Sequence, residues 1–480
     1  MTTPTRPALA EFVKAYDVRG IVPDQLNAAV AQAIGSAFAR VVAAPEGARS
    51  VVIGHDMRPS SPELARAFAA GVAAHQLDVT LIGLASTDQL YYASGALDRP
   101  GAMFTASHNP AQYNGIKLCR AGAAPVGEDT GLAQISLLAQ AALDSGMPAP
   151  LGAASGSVTE RDVLGDYAAY LRSLVDLSRG RRLTVVVDAG NGMAGHTVPA
   201  VLGTAAGLPE LPLDVVPLFF ELDGTFPNHE ANPLEPDNLR DLQRAVVEHG
   251  ADIGVAFDGD ADRCFVVDER GEPISPSVIA ALVASREIAR ETSRGVPAPD
   301  VRIVHNVITS QAFREVITEL GATPVRTRVG HSFIKAEMAK ANAVFGGEHS
   351  AHYYFRDFWF ADTGMLAAMH VLAALGETDV PLSSLGAGYE RYVASGEINS
   401  TIQHRAAATG RALDWARDQG PVITDELDGV TVRHTGAPMW WFNIRPSNTE
   451  PLLRLNVEAA DRTTMEQVRD RVLELLRQEA

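Results

Sequence analysis

Lysine is scarce in this sequence: it occurs four times in 480 residues, and most of the basic residues are arginine. The formal net charge of -18 argues against general binding to nucleic acid or to an anionic membrane surface, because both are negatively charged. There are only two cysteines, Cys119 and Cys264, and they form neither a metal-binding pattern nor a disulfide framework. This cysteine usage indicates a reducing compartment.

Long apolar stretches are also missing. The most apolar runs, at 278–284 and 365–375, are too short or too interrupted to cross a bilayer, and the first residues show no signal-peptide core. These absences predict a soluble, cytoplasmic protein. A hydrophobic content of 46% with 20% charged residues is typical of a globular chain, and 480 residues are too many for one core. Several domains are therefore expected.

A strand, turn and helix pattern recurs three times along the chain. Strand-like segments at 50–54, 183–188 and 301–304 are each followed by a turn and a helix start. This order is typical of α/β sheets, whereas the last hundred residues mix strands and helices without the repeat. The fold class predicted is α/β, with mixed sheets in three related domains and a smaller C-terminal α+β domain. The predicted boundaries are 1–155, 156–270, 271–380 and 381–480.

The segment TASHNP at 105–110 places a hydroxyl beside an imidazole on a turn. Ser107 and His108 are neighbours, and Lys117 follows ten residues later. Such a hydroxyl could carry a phosphoryl group or act as a hydrolase nucleophile. No acidic partner for a Ser–His pair stands out, which favours the phosphoryl carrier.

The segment DGDADR at 258–263 directly follows an apolar strand and carries three alternating carboxylates, Asp258, Asp260 and Asp262. Their mutual repulsion is costly unless a cation neutralises it, and oxygen ligands of this kind suit Mg²⁺. A solvated acidic turn is the ordinary alternative. An EF-hand is disfavoured because Arg263 stands where glycine is required. A phosphatase with Asp258 as its nucleophile would leave Ser107 without a function.

Two further polar segments suit a sugar phosphate. GEHSAH at 347–352 offers Glu348 and Ser350 to vicinal hydroxyls, while a zinc site at the two histidines of this segment lacks a third ligand. RPSNTEP at 445–451 combines an arginine, two hydroxyls and an amide in a turn, which could cradle a phosphate. Either segment alone is more often an ordinary polar turn.

Other cofactors are disfavoured by the glycine pattern. The glycine-rich turn at 189–195 lacks the spacing of a dinucleotide-binding loop, and no lysine follows a glycine loop as in nucleotide-driven kinases. At 330–335, His331 and Lys335 lie one helical turn apart on a predicted helix start. An ordinary amphipathic helix explains that pair equally well.

The four motifs at 105–110, 258–263, 347–352 and 445–451 occur once each and in a specific order. With this order the sequence resembles the α-D-phosphohexomutase family, and most closely its phosphomannomutase/phosphoglucomutase branch. The resemblance covers nearly the whole chain and implies four domains around a central cleft. The clamping of a substrate by four domains predicts a hinge near residues 380–395, within a segment that reads as a linker at 380–384 and around 395–396.

The resemblance also implies roles for particular residues. Ser107 would be the phosphoserine, and it would bind one Mg²⁺ per chain together with Asp258, Asp260 and Asp262. The implied catalytic residues are Ser107, His108, Lys117, Arg263 and His331. The implied substrate-binding residues are Tyr16, Arg19, Glu348, Ser350, Arg445, Ser447, Asn448 and Thr449. One departure stands at Ile308, where some relatives carry a basic residue that Arg326 or Arg328 could replace.

The implied reaction interconverts hexose 1-phosphate and hexose 6-phosphate, with a hexose 1,6-bisphosphate as intermediate and activator. Mannose is the preferred sugar and glucose the alternative. Phosphoglucosamine mutase, a metal-dependent sugar phosphatase and a protein that only binds sugar phosphate or Ca²⁺ are the other hypotheses. The expected partners are small hexose phosphates, without nucleic acid or membrane, and the expected state is a monomer or homodimer.

Overall fold

The structure is a computed structural model that describes residues 8–14, 16–145, 155–446 and 452–478. These residues form two compact units. Unit 1 comprises Met1–Pro276 and Ser350–Leu385, and unit 2 comprises Ser277–His349 and Gly386–Ala480, each as far as it is described. The stretch at 141–157 is rich in Gly, Ala, Pro and Ser, which predicts a domain boundary, and its residues 146–154 lie outside the described residues.

Unit 1 begins with a six-stranded mixed sheet. Its strands are β1 (Val18–Ile21), β2 (Ser50–His55), β3 (Asp78–Leu84), β4 (Gly101–Phe104), β5 (Tyr113–Cys119) and β6 (Val158–Glu160). Their order is β1-β5-β4-β2-β3-β6, with β5 antiparallel to both neighbours and the other pairs parallel. The helices are α1 (Ala28–Phe38), α2 (Ser61–Ala73), α3 (Thr87–Leu97) and α4 (Leu132–Ser145).

Two helices of this sheet approach each other unusually closely. Apolar residues at 28–42 recur at helical spacing, and this segment forms α1 followed by a π-helical turn at Ala39–Ala43. Gly35 of α1 packs against the backbone of α2, where an added Cβ would lie 2.3 Å from the carbonyl oxygen of Phe68. The absence of a side chain at this position therefore permits the contact.

A second mixed sheet follows in unit 1. Its elements in chain order are α5 (Leu164–Leu174), β7 (Leu183–Asp188), α6 (Ala194–Val201), β8 (Leu213–Leu218), α7 (Arg240–His249), β9 (Ile253–Phe257), β10 (Cys264–Val267) and β11 (Pro273–Ile274). The strand order is β11-β10-β9-β7-β8, with β7 parallel to both neighbours and β10 antiparallel to both. All five residues of β9 are buried, so the segment after β9 starts from a rigid position.

The strand and helix pattern returns in unit 2 after α8 (Pro276–Ser293). The elements are β12 (Arg302–Asn306), α9 (Gln311–Glu319), β13 (Thr323–Thr327), α10 (His331–Ala341) and β14 (Phe345–Gly347). Strand β12 is parallel to both β13 and β14. In unit 1 the chain then forms the antiparallel pair β15 (Tyr353–Phe355) and β16 (Ala361–Asp362), followed by α11 (Gly364–Gly376) and α12 (Leu382–Ala387).

The C-terminal part of unit 2 is an antiparallel sheet packed against two helices. Its elements are β17 (Val393–Thr401), α13 (Arg405–Asp418), β18 (Val422–Asp425), β19 (Val430–His434), β20 (Trp440–Pro446), β21 (Leu452–Ala459) and α14 (Arg462–Arg477). The strand order is β17-β21-β20-β19-β18. The linker predicted around 395–396 is wrong, because these residues lie in β17. A β-bulge between Ala394 and Glu397 accommodates the Ser-Gly pair that resembled a linker.

The predicted fold class is confirmed: helices flank mixed α/β sheets, and an α+β portion ends the chain. The boundaries predicted at 155 and 270 fall inside unit 1. A hydrogen bond from Tyr167 Oη of α5 to Asp88 Oδ2 of α3, at 2.7 Å, joins helices on the two sides of the boundary predicted at 155. Cys119 and Cys264 are buried free thiols. Among the described residues, no helix combines the length and apolarity needed to cross a membrane.

Candidate active site

Ser107 occupies a tight turn between β4 and β5 of unit 1. Its φ angle of +50° lies in the left-handed region, which is unfavourable for a residue with a side chain. The turn is fixed by a hydrogen bond from the Ser107 amide to Thr105 Oγ1, at 2.9 Å. The buried hydroxyl donates to Asp258 Oδ2 at 2.8 Å and lies 3.2 Å from His108 Nδ1. The motifs at 105–110 and 258–263 therefore meet at this hydroxyl.

Arg58 holds the backbone of this turn. It is fully buried, and its guanidinium donates to the carbonyl oxygens of Ser107 (2.9 Å), Asn109 (2.7 Å), Pro110 (3.0 Å) and Tyr113 (3.0 Å). Arg58 is in turn paired with Asp56, with 3.2 Å between Nε and Oδ2. A charged fork with several donors is suited to fixing consecutive carbonyl groups of a strained loop.

The three carboxylates after β9 converge, as the sequence predicts. Asp258, Asp260 and Asp262 are buried, and one oxygen of each lies within 4.8 Å of the others. Burial raises the pKa of Asp258 to about 7, assisted by the other two carboxylates and opposed by Arg263. Burial also acts on Asp260, but Lys117 outweighs it and holds the pKa of Asp260 below its usual range.

The donor set fits a hard divalent cation. The Oδ1 atoms of Asp260 and Asp262 are buried and have no hydrogen-bond partner among the residues that the structure describes. Their Oδ2 atoms contact Lys117 Nζ at 2.7 Å and 2.5 Å. Buried carboxylate oxygens without donors are costly, and an oxygen-binding cation satisfies them. A second set of potential metal ligands, formed by Asp262, His352 and Asp362, shares one of these carboxylates.

Two arginines predicted to be functional flank the serine. Arg263 is buried and donates from Nε to Asp258 Oδ2 at 2.9 Å. Arg19, in β1, contacts Asn109 Oδ1 at 2.7 Å and pairs with Asp17 at 2.8 Å. Tyr16 lies half-buried just before β1. Arg263 therefore shares the carboxylate that accepts from the Ser107 hydroxyl, and Arg19 contacts the serine turn at Asn109.

The two candidates for proton transfer beside the serine differ in charge. Burial, together with Arg263 and Arg19, lowers the pKa of His108 well below its usual value, so its imidazole is neutral. Burial opposes the charge of Lys117, but Asp260 and Asp262 outweigh it and raise the pKa of Lys117 well above its usual value. Lys117 therefore stays protonated beside the carboxylates.

The remaining predicted residues are divided between the two units. In unit 2, His331 begins α10, and the buried carboxylate of Glu348 accepts a hydrogen bond from Asn306 Nδ2 at 2.8 Å. Arg445, in β20, is ion-paired with Glu397, and Glu348 acts on its charge as well. Ser350 belongs to unit 1, where its Oγ lies 3.1 Å from His352 Nδ1. Ser447, Asn448 and Thr449 lie outside the described residues.

Ile308 stands where some relatives carry a basic residue, and the two arginines that could replace that residue have other contacts. Ile308 is buried, and the guanidinium of Arg326 pairs with Asp425 at 2.8 Å. Arg328 lies over the ring of Phe333, with 4.5 Å from its Cζ to the ring centroid. Neither arginine is shown to replace a basic residue at 308.

Sequence reasoning missed Arg58 and Thr87. Thr87 begins α3 and donates a hydrogen bond from Oγ1 to Asp260 Oδ2 at 2.5 Å. Its amide also donates to the carbonyl oxygen of Asp260 at 3.0 Å. The sequence shows only a helix start capped by Ser86, so no local signal connects Thr87 to the carboxylates. The Asp-x-Arg spacing of 56 and 58 before α2 was the one available clue to Arg58.

Comparisons with known proteins agree with this arrangement. The chain matches four domain families in order: phosphoglucomutase/phosphomannomutase alpha/beta/alpha domain I (residues 10–142), domain II (165–271), domain III (276–392) and the C-terminal domain (401–475). It is 40% identical over 467 residues to a Xanthomonas campestris protein named "Phosphohexose mutases", covering 97% of this chain and 98% of that protein. It is 37% identical to a phosphomannomutase of Salmonella montevideo, covering 96% and 98%.

A solved structure extends the similarity to the fold. A phosphoglucomutase/phosphomannomutase family protein from Burkholderia thailandensis superimposes with a TM-score of 0.84 at 30% identity, covering 100% of this chain and 99% of that one.

Proposed function

We propose, from the premise that this chain belongs to the phosphoglucomutase/phosphomannomutase family, that it interconverts hexose 1-phosphate and hexose 6-phosphate. Mannose is the preferred sugar, which the names of the Salmonella and Escherichia coli relatives support. The observation that carries the proposal is the hydrogen bond of Ser107 Oγ to Asp258, inside a cluster of carboxylates and basic side chains. A hydroxyl in this place is suited to carry a phosphoryl group between two positions of one sugar.

In the proposed reaction, a hydroxyl oxygen of the hexose phosphate attacks the phosphorus of phospho-Ser107. The bond from phosphorus to Ser107 Oγ breaks, and the proton of the attacking hydroxyl passes to a base of the enzyme. Ser107 Oγ takes up a proton as it leaves, and a hexose 1,6-bisphosphate results. In the return step Ser107 Oγ gives up this proton and attacks the phosphorus at the other position of the sugar. The bond from that phosphorus to the sugar oxygen breaks, and the sugar oxygen receives the proton held by the base. Arg263, which contacts Asp258, and Arg19, which contacts Asn109 in the serine turn, would stabilise the charge that the transferring group spreads over its oxygens.

A Mg²⁺ held by Asp258, Asp260 and Asp262 would neutralise part of that charge when bound. For proton transfer we propose His108, Lys117 and His331 as the candidates, of which His108 lies 3.2 Å from the Ser107 hydroxyl. The proposed substrate contacts are Glu348 and Ser350 for sugar hydroxyls, Tyr16 and Arg19 near the serine loop, and Arg445, Ser447, Asn448 and Thr449 for the phosphate that does not react. The domain boundaries of 1–155, 156–270, 271–380 and 381–480 belong to the same proposal.

The test is a coupled assay on mannose 1-phosphate, glucose 1-phosphate and glucosamine 1-phosphate, primed with a hexose 1,6-bisphosphate and supplied with Mg²⁺. We expect turnover of mannose 1-phosphate by the wild type and a loss of roughly 1,000-fold or more in Ser107→Ala. Ser145→Ala, at an exposed position in α4, is the matched control and should keep full activity. No turnover of any of the three sugars by the wild type would contradict the proposal, as would full activity in Ser107→Ala.

A further inference from the structure

A small cavity of about 120 Å³ in unit 2 is lined by three arginines and a buried histidine. Arg314 comes from α9, Arg326 from β13 and Arg433 from β19, while His305 comes from β12 and Trp441 from β20. A cavity of this size holds a few water molecules or one tetrahedral anion. The concentration of positive charge is notable in a chain whose net charge is -18.

This cavity is separate from the proposed substrate contacts of unit 2. Successive side chains of a strand project to opposite faces of the sheet, so His305 and Asn306 face different ways. Asn306 contacts Glu348, whereas His305 lines the cavity. Arg326 pairs in register with His305 across β12 and β13, and it lines the same cavity. The group therefore lies on the face of the sheet opposite to that of Asn306.

The positive charge of the cavity is only partly compensated. Arg326 is neutralised by Asp425, with 2.8 Å between Nη1 and Oδ2, and also contacts Thr431 Oγ1 at 3.3 Å. In the part of the chain that the structure describes, the guanidinium groups of Arg314 and Arg433 have no hydrogen-bond or ion-pair partner. Burial, followed by repulsion from Arg433 and Arg326, lowers the pKa of Arg314. Mutually repelling guanidinium groups of this kind are stabilised by an anion.

His305 adds a hydrogen-bond acceptor to the same cavity. Its side chain is buried with only 4% exposed, and its Nδ1 donates to the carbonyl oxygen of Asn306 at 3.0 Å. Because a carbonyl can only accept, the other ring nitrogen of the neutral imidazole carries a lone pair. That Nε2 atom is buried and has no hydrogen-bond partner among the described residues. The cavity therefore presents one hydrogen-bond acceptor, His305 Nε2, beside the positively charged donors of the arginines. A ligand with charged oxygens and a hydroxyl would bind to both kinds of group.

We propose that this cavity binds inorganic monohydrogen phosphate. The guanidinium groups of Arg314 and Arg433 would bind its charged oxygens, and His305 Nε2 would accept the hydrogen bond of its remaining hydroxyl. The bound anion would connect β12 and α9 with β19 inside unit 2. Because such binding favours the folded state, phosphate raises the unfolding temperature, and the increase continues with the logarithm of the phosphate concentration above Kd.

The test is calorimetric titration of the full chain with inorganic phosphate at pH 8 and constant ionic strength. Arg314→Met and Arg433→Met keep the length of the side chain and remove its charge. We expect each to weaken binding by roughly tenfold or more, while the KM for hexose 1-phosphate stays unchanged. Arg417→Met, at an exposed position in α13, is the matched control and should bind phosphate as the wild type does.

Two further ligands test the role of His305. At pH 8 sulfate and methyl phosphate carry no hydroxyl proton, so both should bind roughly tenfold more weakly than inorganic phosphate. In His305→Phe this preference should disappear. Thermal unfolding of each variant without ligand establishes that it is folded. Phosphate binding that is unchanged in both arginine variants would overturn the proposal, and so would equal affinities for phosphate and methyl phosphate in the wild type.

Discussion

Arg58 donates a hydrogen bond of 2.9 Å to the backbone carbonyl of Ser107, the residue proposed to carry the phosphoryl group. This hydrogen bond involves only the backbone of Ser107. The side-chain hydroxyl of Ser107 donates separately to Asp258. Gly259 packs against the same carbonyl oxygen of Ser107. An added Cβ at Gly259 would lie only 2.5 Å from this oxygen, so a side chain there would displace the turn. The left-handed backbone of Ser107 is therefore held by groups from two other segments of the chain.

Arg58→Lys is expected to loosen this turn while keeping the charge. A lysine has no fork that could reach four carbonyl oxygens, so several buried acceptors lose their donor. We expect a loss of about 2–4 kcal/mol in the free energy of unfolding and a fall of roughly 100-fold in kcat. Denaturant unfolding and the coupled mutase assay measure the two effects. Arg66→Lys, on the exposed side of α2, serves as the control, and wild-type kcat in Arg58→Lys would contradict the prediction.

Thr87→Val is expected to weaken the affinity for Mg²⁺. Its Oγ1 donates to Asp260 Oδ2 at 2.5 Å, and a hydroxyl that orients a metal-binding carboxylate typically contributes a factor of about 10–100 to affinity. Valine keeps the shape of the side chain and removes the donor, whereas Thr87→Ser restores it. The measurement is the Mg²⁺ concentration for half-maximal activity. An unchanged value in Thr87→Val, or the same defect in Thr87→Ser, would show that the hydroxyl does not act through Asp260.

Lys117→Met is expected to make folding depend on the cation. The ammonium contacts Asp260 and Asp262 at 2.7 Å and 2.5 Å, and its removal leaves two buried carboxylates uncompensated. We expect a loss of about 3 kcal/mol in the free energy of unfolding without metal, and a smaller loss when Mg²⁺ is added. Lys340→Met, whose lysine is 77% exposed, should change stability by less than about 0.5 kcal/mol. A defect of Lys117→Met that is the same with and without Mg²⁺ would contradict this explanation.

The carboxylate loop and the serine turn could be predicted because their signals are local. Asp258, Asp260 and Asp262 alternate directly after an apolar strand, and a strand end determines where the following side chains lie. The strands and helices of the three α/β repeats were predictable for the same reason. The convergence of Ser107 with Asp258 rested on the resemblance, because 151 residues separate them.

The supporting residues could not be predicted in this way. Arg58 contacts Ser107 over 49 residues and Thr87 contacts Asp260 over 173, and each sits in a segment that reads as an ordinary helix start. Their roles depend on how helices pack on the sheets, which residue spacing does not encode. The error at 395–396 has a different origin, because a Ser-Gly pair suits a linker and a bulged strand equally well.

His305 is expected to make stability depend on pH. Burial, opposed by its hydrogen bond to Asn306, lowers the pKa of His305 to about 4, compared with 6.5 for an exposed histidine. Between these two values the unfolded chain binds a proton that the folded chain does not, so stability falls as the pH falls through this window. The full effect, reached below pH 4, is about 3 kcal/mol. Above pH 6.5 the residue contributes no pH dependence.

The measurement is denaturant unfolding at several pH values in chloride buffer, without phosphate. Other groups titrate in the same range, so the difference between the wild type and His305→Gln isolates the histidine. Glutamine is neutral throughout, and this variant should lose part of the decline in stability between pH 6.5 and pH 4. His404→Gln, at an exposed position before α13, should retain the wild-type slope. Parallel pH profiles for the wild type and His305→Gln would mean that the pKa of His305 is the same in the folded and the unfolded chain, which would contradict this prediction.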